Sequence, residues 1–405
     1  MRDGWEAVPL GHVTTQVRTR RVPQSGVMYR LLGVSAKARG AFLRETVSGA
    51  ATKAASLTPV RSGQFIYNRL FAGTGSFAVV PQELDGSWVS NEFPVFEVNP
   101  VHADARYLWL VFQQPDVWAT VASQCIGTTG SRMRWHESKF SRFEIPLPPP
   151  AEQRRIINLV GAVDDALTAA FALATALRQS HGAVREEWLS QAADGVRLGD
   201  VIVRIDAGRS PDAEDRQPKY GETTVLKVSA VRPGWFDRTQ VKVVKDPAVF
   251  PEHALVRDGD LLMTRANGNR DLLGVVCIAE DTPERCFLSD KTLRIVPDET
   301  VVSPIFLMEA LTSAHSRRQI ALSGTGTASM KNISQASIEN LTVPLAAPAQ
   351  QAIFVGLTSA LRIATRRAER EAVALSRLRG ALVTSLLAGD QEFPDSYDRF
   401  LDGAA

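Results

Sequence analysis

Two stretches of the chain carry apolar residues at alternating spacings of three and four, which draws a narrow stripe along one face of a helix. The first runs through Val160, Val163, Leu167, Ala170, Ala174, Leu177, His181, Val184 and Trp188; the second runs through Phe354, Leu357, Leu361, Ala364, Ala368, Glu371, Leu375, Leu378 and Leu382. Stripes sustained for more than four heptads are seams, so each helix wants a partner helix. Pro150 and Pro348 suit a first helical turn, where the missing N–H costs nothing, and Gly195 and Gly389 follow the ends. A lone histidine on a seam, His181, reads as a packed, hydrogen-bonded residue rather than a ligand. Glu371 reads as a paired or solvent-open position that helps fix register.

Outside the helices the pattern changes to short β-branched and aromatic runs bounded by turn residues. Strands are predicted at 65–70, 77–80 and 94–98, and again at 225–228, 261–264, 274–278 and 292–296. A single helix follows each set, near 104–113 and near 304–319, the latter opened by Ser303-Pro304.

These segments repeat. Val8-Pro9-Leu10-Gly11 recurs as Val196-Arg197-Leu198-Gly199, and Val60-Arg61-Ser62-Gly63-Gln64-Phe65-Ile66 as Val256-Arg257-Asp258-Gly259-Asp260-Leu261-Leu262. The stretch 127–134 (GTTGSRMR) answers to 324–331 (GTGTASMK), and 145–153 (IPLPPPAEQ) to 343–351 (VPLAAPAQQ). Order is kept throughout while loop lengths differ. The predicted class is therefore α+β, two tandem globular halves with a pseudo-two-fold internal repeat, separated by a long antiparallel two-helix coiled coil. Its parts are 1–150 and 194–348 for the halves, 151–193 and 349–389 for the helices, and 390–405 for an acidic C-terminal tail.

Composition adds exclusions. With 405 residues, 44 % apolar and 22 % charged, the chain is globular and too long for one typical domain. Charge interrupts every apolar run before the roughly 18 residues a membrane span needs, and the N-terminus lacks a signal h-region, so a cytoplasmic protein without a membrane partner is expected. Cys125, Cys277 and Cys286 form no CxxC pair, which fits a reducing compartment and offers no zinc site. The net charge of +2 is nearly silent. Its distribution is uneven: 1–150 carries 16 basic and 11 acidic residues, 194–348 carries 19 and 21, so a nucleic-acid surface must be local.

Phosphate loops, zincin and nucleophile-elbow motifs are missing. Asp116 followed by Glu137 and Lys139 matches, loosely, the acidic pair and lysine of metal-dependent nucleases. The second half lacks that pattern, and helix-end charge accounts for these residues as well. Basic residues beside small ones are the stronger lead, because the backbone can then approach phosphates while guanidinium groups reach phosphate oxygens or guanine. Those residues are Arg18, Arg20, Arg21, Lys37, Arg39, Arg44, Lys53, Arg69, Arg132 and Arg134 in the first half. In the second, Arg265, Asn267, Asn269 and Arg270 fall within six residues, with Lys331 and Asn332 in the later loop.

The joints IPLPPPAEQRRI (145–156) and VPLAAPAQQAIF (343–354), the GDLLMTR strand at 259–265 and the glycine-threonine loop at 324–331 give the chain a family likeness. Over essentially its full length it resembles the specificity subunit of type I restriction-modification systems. It departs at Gln64, where an acidic residue is usual, and at Gln350-Gln351-Ala352, where the first joint has Glu152-Gln153-Arg154. The resemblance implies a non-catalytic reader of double-stranded DNA with two target-recognition domains, reading a bipartite asymmetric target. It implies two methylation subunits carrying S-adenosylmethionine and modifying adenine N6, restriction subunits in the full complex, and no cofactor on this chain. A metal-dependent nuclease and a coiled-coil scaffold that binds no DNA are the alternatives.

Overall fold

The computed structural model describes residues 4–127, 133–191, 195–246, 250–326, 331–393 and 397. The chain divides into two units, Met1–Ala170 with Arg370–Ala405, and Phe171–Glu369.

In the first unit a four-stranded antiparallel sheet has the order Thr14–Gln16, Val95–Val98, Phe65–Tyr67, Phe77–Val79. Successive side chains of a strand point to opposite faces. Phe65 and Tyr67 accordingly enter an aromatic core with Phe77, Phe112, Trp135 and Phe140, while Ile66 enters a second core with Leu32 and Val89. That second core lies against another four-stranded sheet, ordered Ala41–Ser48, Met28–Val34, Trp88–Val89, Thr58–Pro59. Strand Glu6–Pro9 pairs with Glu144–Leu147 just before the first long helix.

The second unit has the same order in its main sheet: Ile202–Ala207, Thr292–Pro297, Leu261–Thr264, Val276–Ile278. Leu261 and Met263 face one core with Phe306, and Leu262 faces another with Cys277. The parallel pairing of Met28–Val34 with Trp88–Val89 also has a counterpart, Thr224–Leu226 beside Cys286–Phe287.

Two helices, not one, follow the last strand in each unit: Ala105–Val111 and Pro115–Gln124, then Pro304–Thr312 and Ala314–Ser323. Pro115 sits at the start of the second helix of its pair, where its ring cannot continue the preceding turn. Ser313 closes one helix and caps the next, its hydroxyl accepting from the Ser316 N–H.

The long helices span Pro150–Ser190 and Pro348–Ala388, 41 residues each, with Gly389 in the left-handed conformation that ends the second. All nine first-seam positions are buried or half-buried. In the second seam Phe354, Leu361, Ala364, Ala368, Leu375 and Leu382 are buried or half-buried, and three positions are corrected. Leu357 and Leu378 are exposed (48 % and 53 %), and so is Glu371, whereas Thr358, Thr365 and Ala372 are buried. The threonine hydroxyls donate to the carbonyls of Phe354 and Leu361, at 3.0 and 2.8 Å, so they pack as small apolar groups. In the first unit Arg379 pairs with Asp164, its Nη2 lying 3.1 Å from Oδ2. In the second, Arg178 pairs with Glu369 and Trp188 stacks on Phe354 at 4.4 Å, so the helix segments run antiparallel there.

The expectation that no segment could match a membrane span also changes. The helix Pro150–Ser190 holds an 18-residue window of mean hydropathy 1.6, long and apolar enough by length and composition alone. Only 22 % of that window is buried; Ile156, Ile157 and Val160 of the helix enter the first unit's apolar core, and Ala170 and Ala174 lie along the packed seam.

Candidate nucleic-acid interface

The joint that starts each long helix is built on one glutamine. Gln153 is buried, donates to the carbonyls of His102 (2.9 Å) and Pro148 (2.8 Å), and accepts from the Asp104 N–H (2.9 Å). Gln351 donates to Val301 and Ala346 (both 2.8 Å) and accepts from the Ser303 N–H (3.0 Å). An amide that uses both ends cannot be replaced by a carboxylate without leaving buried carbonyls unpaired. The second joint therefore keeps the residue that matters and dispenses with Glu and Arg.

The turn before each central strand is also shared. Gln64 Oε1 accepts from the Arg61 N–H (2.7 Å), and Asp260 Oδ2 from the Arg257 N–H (2.9 Å). What faces them differs in step: Gln64 donates to Glu97 (2.5 Å), while Asp260 accepts from Arg294 (2.9 Å). The neutral glutamine in the first half is matched to an acidic neighbour and the aspartate to a basic one.

The predicted contact residues separate into two groups. Arg69 is committed inward, with Nε 3.1 Å from Glu137 Oε2, Nη2 bonded to Glu137 Oε1, and Nη1 bonded to the Asn91 carbonyl. Arg134 forms a two-point pair with Glu92 at 3.0 and 3.1 Å. Both brace the turn at 90–93. Arg18, Arg20, Lys37, Arg39 and Lys53 are exposed and have no carboxylate partner among the described residues. Arg21 lies over Trp88 at 5.9 Å, and Arg44 bonds its neighbour Glu45. Lys37 and Ala38 adopt positive φ (58° and 48°), held by bonds to the Thr74 and Gly75 carbonyls. Arg132 lies outside the described residues.

In the second unit a small sheet joins Ala266–Asn267 to Lys331–Asn332 and Thr325–Gly326, which brings the two predicted loops together. Asn267 and Asn269 use their oxygens locally, accepting from the N–H groups of Asn269 and Asp271, both at 2.9 Å. Their amide N–H groups have no partner among the described residues. Arg270 reaches the Ala321 carbonyl at 3.1 Å, Lys331 the Gly326 carbonyl at 3.2 Å, and Arg265 is half-buried.

Glu137, the nuclease-like carboxylate, is taken by Arg69 and by Gln16 Nε2 (3.2 Å), while Asp116 lies in the first turn of its helix. Burial pushes the Glu137 carboxyl up, but the bonds and charge of Arg69, together with a backbone N–H and the Gln16 amide, hold it below the usual carboxylate range. A carboxyl depressed on folding stabilises the protein above its unfolded value and loses that contribution as pH falls through the folded one. Glu137→Gln should therefore flatten the acid loss of the first unit's unfolding midpoint between about pH 5 and pH 3. An unchanged acid slope would assign the sensitivity to other carboxyls. His181 Nε2 is 3.0 Å from Oε1 of Glu309, itself buried, with Arg185 3.6 Å from the other oxygen. Asn91 and Arg294 carry no signal in the motifs above, and Gln153 and Gln351 stand there only as members of the matched joints. The shared glutamine of the two joints was the visible signal for one pair of these.

Each unit is thus an α+β scaffold that carries exposed cations and amides on short sheets and turns. Residues 3–172 match the family model described as Type I restriction modification DNA specificity domain. The match covers less than half of the chain. It is similar to the type I restriction enzyme EcoEI specificity subunit of Escherichia coli, 32 % identical over 155 residues, which is 38 % of this chain and 25 % of that protein's length. Among solved structures it is similar to the type I restriction-modification system S subunit from M. genitalium (TM-score 0.59, 12 % identity, 96 % of both chains covered). A chain from a study of complex assembly and conformational transition of the type I R-M system gives a TM-score of 0.56, 19 % identity, and coverage of 96 % and 99 %. At these identities the structures establish the fold.

Proposed function

We propose that the chain is the DNA-reading subunit of a type I restriction-modification complex and performs no catalytic step itself. One observation carries the reading: the strand order of the first unit recurs in the second, while the residues on the connecting loops differ. A shared scaffold with unlike loops suits two readers of unlike sequences, because base contacts come from the groups placed on the scaffold. On this reading the target is bipartite and asymmetric, with one half-site for each unit. The long helices form an antiparallel coiled coil whose length sets the unspecified spacer. Domain boundaries fall at 150, 193, 348 and 389, and the complex works in the cytoplasm without a membrane.

The partners follow from the same reading. Two methylation subunits would hold S-adenosylmethionine and modify adenine N6, and restriction subunits would complete the complex. Double-stranded DNA is the ligand of this chain.

With a net charge of +2, non-specific attraction is small. Binding measured by fluorescence anisotropy should be weak for the chain alone and tighten with a methylation subunit. Log affinity should fall linearly with log salt, with a slope near −0.9 per phosphate neutralised. A complex indifferent to salt would contradict the phosphate contacts assigned to the exposed cations.

A further inference from the structure

The first unit holds a cavity of about 260 Å³ that the candidate contacts above do not explain. It opens where two apolar cores part, with Leu32, Val89 and Phe93 from one and Leu31 and Leu57 from the other. That volume is below the roughly 300–1,000 Å³ of drug-sized sites, so the space suits one flat ring rather than a longer ligand.

Its rim has a different chemistry. Between Leu31 and Leu32 the pairing with strand Ala41–Ser48 shifts register, Leu31 facing Glu45 and Leu32 facing Leu43, which leaves Arg44 as the extra residue of a bulge. Bulges re-aim side chains, and Arg44 lines the cavity mouth, half-exposed and bonded to Glu45. Lys53 stands on the same rim with no carboxylate partner among the described residues, beside Thr52, Ser90 and Asn91. The Asn91 backbone is fixed by Arg69, which Glu137 holds in turn, and the following residue, Glu92, is paired with Arg134. Two ion pairs thus brace the segment that carries Asn91, whose amide makes no contact of its own among the described residues.

An apolar floor, an amide at the edge and two cations at the mouth match the parts of a single nucleotide: ring, base edge and phosphate. We propose that this pocket receives one nucleobase unstacked from the duplex, its ring on the leucine, valine and phenylalanine floor, its edge on Asn91, and its phosphate between Arg44 and Lys53. This rests on the DNA-reading function above and adds a binding step to it. Unstacking a base is unfavourable by itself, and the floor and rim contacts would offset that cost.

The test uses the full chain alone, so that no methylation subunit can extrude a base. Duplexes of the methylated motif carry a fluorescent analogue at each position in turn, 2-aminopurine for purines and pyrrolocytosine for pyrimidines. One position should brighten several-fold on binding. Ala54→Phe, which fills the cavity wall, and Arg44→Ala with Lys53→Ala should each abolish the brightening. Asn91→Ala removes only an exposed side chain and should weaken target binding about tenfold, as the loss of a base-edge contact does. Brightening that persists unchanged in Ala54→Phe and in Arg44→Ala with Lys53→Ala, target binding unchanged in Asn91→Ala, or no brightening at any position of a bound duplex, overturns the pocket and leaves DNA reading standing. No binding to any duplex overturns both.

Discussion

Replacing Arg294 with methionine should destabilise the second unit by about 3–5 kcal/mol, the cost of taking a buried cation from the buried Asp206 and the half-buried Asp260. Arg294 is 5 % exposed and uses all five of its N–H donors. Nε and Nη2 bond Asp206 Oδ2 at 3.0 and 2.6 Å, and Nη1 bonds Asp260 at 2.9 Å and the Leu255 carbonyl at 3.0 Å; Nη2 also bonds the His253 carbonyl at 2.5 Å. Asp206 lies on the neighbouring strand directly opposite Arg294 and is buried with it. Methionine keeps the length of the side chain and takes the guanidinium from both carboxylates, leaving Asp206 only the exposed Arg204, 3.0 Å from its other oxygen. Denaturant unfolding followed in the full chain should show the loss in the second unit's transition. Adding Asp206→Asn and Asp260→Asn to the methionine variant should recover part of it, because the uncompensated charges are then gone. A loss that the triple variant leaves unchanged would mean that packing, not charge, sets the cost.

Alanine at Asn267, Asn269 and Arg270 together should relax recognition of one half-site and leave the other intact. Each two-point base contact is worth about 1–3 kcal/mol, so three lost contacts would remove most discrimination at that half-site. The turn itself is built by the two asparagine oxygens, and its loss costs about 0.5–2 kcal/mol for a cap. A melting comparison therefore accompanies the binding measurement. Lys331, in register with Asn267, and Asn332, opposite Ala266, are the next positions to substitute. Equal degradation of both half-sites would make this loop a folding element or a phosphate clamp.

Much of the architecture is legible in local pattern. The repeat, the central strands and the ends of both long helices follow from β-branched runs, prolines at first turns and Gly389 at positive φ. The helix pairs after each last strand were less accessible, because a single residue such as Ser313 serves as the end of one helix and the cap of the next. Three positions of the second seam differ for local reasons. Leu357 outranks Thr358 in hydrophobicity, but the Thr358 hydroxyl is bonded to its own helix and packs as a small apolar group, while at Glu371 the apolar neighbour Ala372 takes the buried place.

The interface was harder still. Arg69 and Arg134 look like the other basic candidates in sequence, yet Glu137 and Glu92, distant in the chain, commit them to bracing. Arg294 sits inside an apolar strand, and an arginine in such a strand is itself a signal that a buried carboxylate must lie opposite. The departure at Gln64 could be understood only once Glu97 was seen beside it.

The central claim is that each unit reads its own half-site. Mapping methylated adenines in cells that express this chain with its methylation subunits tests it most directly. The account predicts a motif of two unlike half-sites separated by unspecified bases, with only one half-site altered by the Asn267, Asn269 and Arg270 substitutions. A continuous motif, or two identical half-sites, would contradict it.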